Sequence, residues 1–348
     1  MEEIFIKDPA FEALVRKKLK KETDVITDED MAKIDKFNGR IVISPFPEKV
    51  ILDDYYGEDF GAAADISGIE HCVNMEALSI KAEISNGCAE SVAMLIENII
   101  KLKSLKHLHI EGDAIKNIDW VSELPSLETL QMINMDIREP KTLGKLSRLI
   151  DIFVAESKLD GVDWIYKAEK LKNLTLSDVS MPEELSLGGF KELRHLSVKS
   201  DNVRKIMFYD MPKLRSAVVE VENADDISTI DNLTTLNWIK LTAHPKTDIT
   251  PILALKELGR LMLGKNTIDY LTVIQQMYWL EKIEIWENTI DDLSPLLNMP
   301  NLKSLALFKC VINDAETLKK LSTHCAVSLY ENQTPSGEAI DNNILSVF

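Results

Sequence analysis

Apolar residues recur along this chain in the pattern Leu-x-x-Leu-x-Leu. It begins at Leu105 (LKHLHI) and returns at Leu127, Leu149, Leu171, Leu193, Leu214, Leu236, Leu258, Leu280 and Leu302. Eight of these nine steps are 22 residues and one is 21, so the period marks one structural unit repeated many times. An earlier copy at Met75 (MEALSI) and a degenerate one at His324 (HCAVSL) extend the series to about twelve turns. Alternation within the motif predicts a short strand whose leucines face inward. The second half of a repeat is as regular: Leu280, Ile283, Ile285, Asn288, Ile290, Leu293, Leu296 and Met299 converge on one interior column. A single turn cannot bury this face alone. The turns must stack, each adding a parallel strand about 4.8 Å from the last. The interval from Met75 to Leu105 is longer because Val92, Leu95, Ile96, Ile99 and Leu102 have helical spacing, which predicts a helix within Ala89–Lys103.

The fold class read from this pattern is an α/β repeat solenoid with a parallel sheet and a helical N-terminal cap. Residues 1–64 form the cap and an acidic connecting loop, 65–330 the array, and 331–348 a C-terminal tail or cap. The segment FEALVRKKLKKETDVITDEDMAKIDKF reads as helical, with Thr27 or Asp28 as an N-cap and Glu29 and Asp30 favouring the positive helix end. Such a cap covers the flank and strand edge that the first repeat would otherwise expose. Tyr55, Tyr56 and Phe60 of the acidic loop are expected to fold back onto it.

The unit LxxLxLxxNxIxDLxPL, here LEKIEIWENTIDDLSPL from Leu280, resembles the repeat of bacterial internalin-type leucine-rich-repeat proteins. The N-terminal segment and the phrase ADISGIEHCVNMEAL are similar to that family's cap and first repeat, so the resemblance covers nearly the whole chain. It implies a binding scaffold with no catalytic activity. Asn266 and Asn288 hold the position of a buried asparagine ladder; elsewhere the chain has Asp113, Met135, Ser157, Val179, Asp201, Glu222, His244 and Cys310. Similar 22-residue repeats occur in intracellular eukaryotic proteins that regulate phosphatases.

Charge changes the picture next. With 57 acidic against 40 basic residues the formal net charge is -17, which repels phosphate backbones and anionic membrane. Neither nucleic acid nor membrane is an expected partner. The N-terminus MEEIFIKDPAFEAL has no basic start followed by an apolar stretch, so a cytoplasmic location is expected. Cys72, Cys88, Cys310 and Cys325 are too scattered for a disulfide framework or zinc site and read as reduced thiols. No cofactor is implied.

Outward positions on the strands divide the array. Early turns are small and polar; late turns place Trp238, Lys240, Arg260, Met262, Lys282, Trp286, Phe308 and Lys309 on the open face. Trp238, Arg260 and Lys282 fall in one column on consecutive turns, close enough for cation–π contact. Tryptophan and arginine dominate binding energies at interfaces, so this patch is the expected site for a protein or peptide. Its cations favour an acidic segment of that partner. The same aromatics also serve to cover one another and shield the strand backbone.

Two signals of chemistry compete with this reading. His107, His109 and Glu111 alternate on one strand and point the same way, which would make a metal-assisted hydrolase the alternative function, although extended spacing spreads them widely for one ion. Gly259–Asn266 (GRLMLGKN) comes within one residue of a phosphate-binding loop, but its leucines are in repeat register, which makes it a strand and its exit. Trp120 and Trp164, on the return side of their turns, read as packing residues. A structural or adhesive role after export without a recognisable signal is a further alternative.

Overall fold

The computed structural model describes residues 2–37, 41–43, 61–82, 89–138, 146–265 and 270–340. The chain forms two compact units, Met1–Leu171 and Lys172–Phe348.

The first unit opens with a helix, Pro9–Leu19. Proline at its first turn costs nothing there, and the Asp8 carboxylate accepts from the amides of Ala10 (2.8 Å) and Phe11 (3.1 Å). The other Asp8 oxygen accepts from the amides of Ala64 (2.8 Å) and Asp65 (3.2 Å), so one side chain caps the helix and ties it to a segment far along the chain. Thr27, as expected, caps a short helix at Asp28–Met31 in a reciprocal capping box with Asp30. Asp30 is 4% exposed and is held by Lys21 (2.5 Å) and Lys33 (2.9 Å). Hydrogen bonds from these two lysines hold its carboxyl far below the usual carboxylate range. Because the folded-state value is depressed, the stabilisation is complete above the unfolded value, near 4, and is lost as pH falls below it. The amide protection factors of residues 26–34, corrected for the pH dependence of intrinsic exchange, are therefore expected to fall below about pH 4, and Asp30→Asn is expected to flatten that dependence.

In the first unit the sheet order is Gly61–Ala63, Ile41–Ile43, Ala77–Ala82, His107–Glu111, Thr129–Ile133 and Asp151–Ala155, with parallel pairing between neighbours. Neither of the first two strands was expected: Gly61–Ala63 lies in the acidic connecting loop and Ile41–Ile43 between that loop and the cap segment. They extend the sheet beyond the first recognisable repeat. Tyr55, Tyr56 and Phe60 lie outside the described residues. The long interval carries the expected helix, Ala89–Ile99, with Leu95, Ile99 and Leu102 at most 2% exposed.

In the second unit eight parallel strands form a sheet, from Asn173–Ser177 to Ala326–Tyr330. Leu174, Leu196, Ala217, Ile239, Leu261, Ile283 and Leu305 pair in register and are at most 2% exposed. Burying such a side chain fully contributes about 1.5–3 kcal/mol, so each turn is held chiefly by its neighbours. Opposite the strands the chain returns through 3-10 turns such as Thr250–Ala254 and Ser294–Asn298, both opened by proline. The phosphate-loop look-alike is a strand, Arg260–Gly264. This is the leucine-rich-repeat α/β solenoid fold with helical capping elements.

The interior ladder differs from expectation in its chemistry. Ser157 accepts from the Met135 amide (3.0 Å) and donates to the Ala155 carbonyl (2.6 Å). Ser200 and Thr247 donate to the carbonyls of Val179 and Ala224, one turn back. Asn332, 2% exposed, accepts from the Cys310 amide and donates to the Leu307 carbonyl, both at 2.9 Å. Small hydroxyl side chains replace asparagine because a buried amide or carbonyl needs a partner, not a particular residue. Asn266 lies outside the described residues.

Candidate functional site

Where the strands of the second unit end, the residue seven places after the first leucine turns the chain. Asp178, Lys265, Glu287, Lys309 and Glu331 all sit there with φ between 50° and 54°. That left-handed conformation is costly for a residue with a Cβ and projects charged side chains at the margin of the sheet. Of these, Lys265, Glu287 and Lys309 line a depression of about 510 Å³ together with Lys240, Thr242, Gly264, Glu284, Trp286 and Phe308.

Its wall is aromatic. Trp286 pairs in register with Phe308, and Phe308 with Tyr330, on three consecutive strands. The Trp286 and Phe308 rings are 6.2 Å apart and tilted by 47°; Phe308 and Tyr330 stack at 4.7 Å and 7°. Ring faces are spent on one another, which leaves their edges and the 52% exposed Tyr330 facing outward. Gly264 makes room for this ridge: a Cβ there would lie 2.9 Å from Trp286 Cδ1 and 3.0 Å from Thr242 Oγ1. Thr242 is 4% exposed, and the Trp286 indole N–H is buried without an acceptor among the described residues.

The predicted column is present, since Trp238 pairs with Arg260 and Arg260 with Lys282. The Arg260 guanidinium lies 5.9 Å from the Trp238 ring centre, and the Lys240 ammonium 4.1 Å over Trp286. Met262 faces outward in register yet is 7% exposed, because the Trp238 indole N–H donates to its sulfur at 2.9 Å. It supports the Trp238 ring from beneath. Tyr330 was missing from the sequence-derived patch because its repeat, HCAVSL, is degenerate; the 22-residue spacing from Trp286 through Phe308 was the available signal.

The expected basic spot is electrically mixed. Lys240 pairs with Glu220, Arg260 with Glu284 (2.6 Å), Lys265 with Glu222 (2.8 Å) and Lys309 with Glu331 (3.8 Å). The hydrogen bonds that the ammonium groups of Lys265 and Lys199 donate to Glu222 and Asp178 raise them above the usual lysine range. Both stay charged at neutral pH, so the depression is rimmed by alternating cations and carboxylates.

Three other groups named from the sequence do not assemble into a site. His107 bonds to Thr129 (2.8 Å), His109 to Ser79 (3.2 Å), and Glu111 pairs with Lys81 (3.2 Å). Each is turned to its own neighbour, and among the described residues no group of three or more His, Cys, Asp or Glu is placed to hold a metal ion. This removes the basis of the metal-assisted reading. Trp164, 6% exposed, packs in the interior and donates to the Gly161 carbonyl, and the half-buried Trp120 donates to that of Asn117. Cys72 and Cys310 are buried free thiols, and burial pushes Cys72 up to about 12, which leaves it unreactive. Among the described residues no helix is long and apolar enough to cross a membrane.

No family model matches the chain, and no curated protein does. Solved structures do. An internalin from Listeria monocytogenes matches with a TM-score of 0.54 at 20% identity, over 94% of this chain and 90% of its own. The functional domain of internalin J from the same organism, which includes a cysteine ladder, matches at 0.42 and 14%, over 92% and 79%. A leucine-rich-repeat protein of Leptospira interrogans matches at 0.31 and 15%, over 75% and 92%. At such identities the likeness is one of fold: the chain has the general leucine-rich-repeat scaffold.

Proposed function

We propose that this protein is a non-enzymatic scaffold that binds a protein or peptide on the open sheet face of its second unit. The observation that carries the reading is the ridge Trp286–Phe308–Tyr330 beside the hollow left by Gly264. A sheet needs no aromatic ridge on its solvent side for its own stability, and large rings with exposed edges are the residue types that anchor partners. Trp238, Lys240, Arg260, Lys282 and Lys309 flank it and set the partner's polar contacts, with Met262 as the support beneath Trp238. Lys240, Arg260 and Lys309 are each paired with a carboxylate, which permits close approach without stranding those ions.

Selection of random dodecapeptides displayed on phage against the full chain tests this. Binders of roughly micromolar Kd are expected. Trp238→Ala combined with Trp286→Ala should weaken them at least tenfold while the thermal midpoint moves by only a few degrees. Equal binding by the double variant would show that the site lies elsewhere.

A further inference from the structure

The second unit sorts charge by repeat position, and the edge where its strands begin is basic. The amide of Arg194 donates to the Lys172 carbonyl (2.8 Å), Arg215 to Arg194 (2.9 Å), Asn237 to Arg215 (2.9 Å) and Gly259 to Asn237 (2.9 Å). These bonds place Lys172, Arg194 and Arg215 in one row on consecutive turns. The row leads into the Trp238, Arg260, Lys282 column one residue further on. Lys172, Arg194, Arg215 and Lys282 are all exposed, and among the described residues none of them makes an ion pair. Lys256, also exposed and without an ion pair, lies 3.8 Å over the Trp279 ring.

Carboxylates on the same edge are mostly spoken for. Glu192 pairs with Lys213 (2.6 Å), Asp210 with Lys191 and Glu281 with Lys303 (2.6 Å). Five cations therefore stand against Glu257, with the exposed Asp231 on the return just before the strand at Trp238–Ala243. At the opposite ends of the strands the balance reverses: Lys265 and Lys309 are matched by Glu222 and Glu331, and Glu287 and Asp201 add to the acidic side. A row of unpaired cations on a protein of net charge -17 is the opposite of what solubility alone would arrange.

We propose that this edge receives an acidic segment of the partner, laid across the strand starts from Lys172 to Lys282. The proposal rests on the peptide-binding reading above and names the chemistry of what binds. Five turn steps of about 4.8 Å span roughly 24 Å, the length of about seven extended residues. Arg194 and Arg215 offer forks that match carboxylates, and Lys282 lacks the internal carboxylate that occupies Arg260. A polyphosphate chain fits less well. It would meet Glu192, Glu257 and Glu281 interleaved among the cations, and the acidic remainder of the molecule repels it.

The test compares peptide selections against the full chain and against Arg194→Glu/Arg215→Glu, two exposed positions outside the aromatic ridge. Peptides selected on the unaltered chain should be enriched in Asp and Glu, and they should bind the charge-reversed variant at least tenfold more weakly, with an unchanged thermal midpoint. Raising salt from 50 to 300 mM should weaken them in the same direction. If the selected peptides have no acidic excess, or charge reversal leaves them unaffected while Trp238→Ala/Trp286→Ala still removes binding, the inference fails and peptide binding stands. Failure to select any binder overturns both. Tighter retention of single-stranded RNA than of any peptide, lost on charge reversal, overturns the acidic-peptide assignment in favour of phosphate recognition.

Discussion

Gly112→Ala is expected to lower the stability of the first unit by about 3 kcal/mol, roughly 6–12 °C in thermal midpoint. Two costs combine at this position. Gly112 has φ +104°, a conformation that residues with a Cβ rarely adopt, and a Cβ there would lie 2.2 Å from the Ala82 carbonyl oxygen. The obstacle is backbone, so no side-chain rotation relieves it, and the strand must shift against its neighbour. Other turns place Asn134, Glu156 or Asp178 at the equivalent position with φ near 50°, where a side chain is tolerated. Gly112→Asn is therefore expected to cost nearly as much as alanine, although asparagine is accepted one repeat later. Urea unfolding monitored by circular dichroism measures both; a loss under 1 kcal/mol for alanine would show that the first turn relaxes freely.

Gly264→Thr is expected to separate binding from folding in the second unit. Here the backbone is not left-handed, and the atoms a Cβ would crowd are side-chain atoms of Trp286 and Thr242. The indole can turn away at modest cost, and threonine suits a strand better than glycine, so the thermal midpoint should stay within a few degrees. The hollow is filled and the ridge displaced, so affinity for a selected peptide should fall tenfold or more, equivalent to about 1.4 kcal/mol or more. Anisotropy titration of wild type and variant reads the ratio directly. Undiminished affinity would mean that the hollow and the Trp286 edge take no part in recognition.

How much of this was legible in the sequence depends on what kind of position carried it. The 22-residue leucine period predicts strand register without drift, because every inward side chain must meet its copy in the next turn; Leu261, Ile283 and Leu305 pair as spacing requires. The column Trp238–Arg260–Lys282 was readable for the same reason. The strands at 41–43 and 61–63 were not, because they share no repeat motif and are recruited by the open edge of the next strand. Nor was the interior ladder, since Ser200 and Thr247 satisfy backbone carbonyls of the preceding turn from other positions than the asparagine one. Charge pairing was illegible too: Lys240 and Glu220 come from adjacent turns, and only stacking brings them together. The aromatic ridge was two-thirds visible, its third member hidden in a repeat whose leucines have decayed.

Amide hydrogen exchange of the full chain, with and without a saturating selected peptide, tests the central claim most directly. Binding on the open face of the second unit predicts slowed exchange in Trp238–Ala243, Arg260–Gly264, Lys282–Trp286 and Ser304–Phe308, with Thr129–Ile133 and Asp151–Ala155 of the first unit unchanged. Protection confined to the first unit, or to the return side at Thr250–Ala254 and Ser294–Asn298, would contradict it.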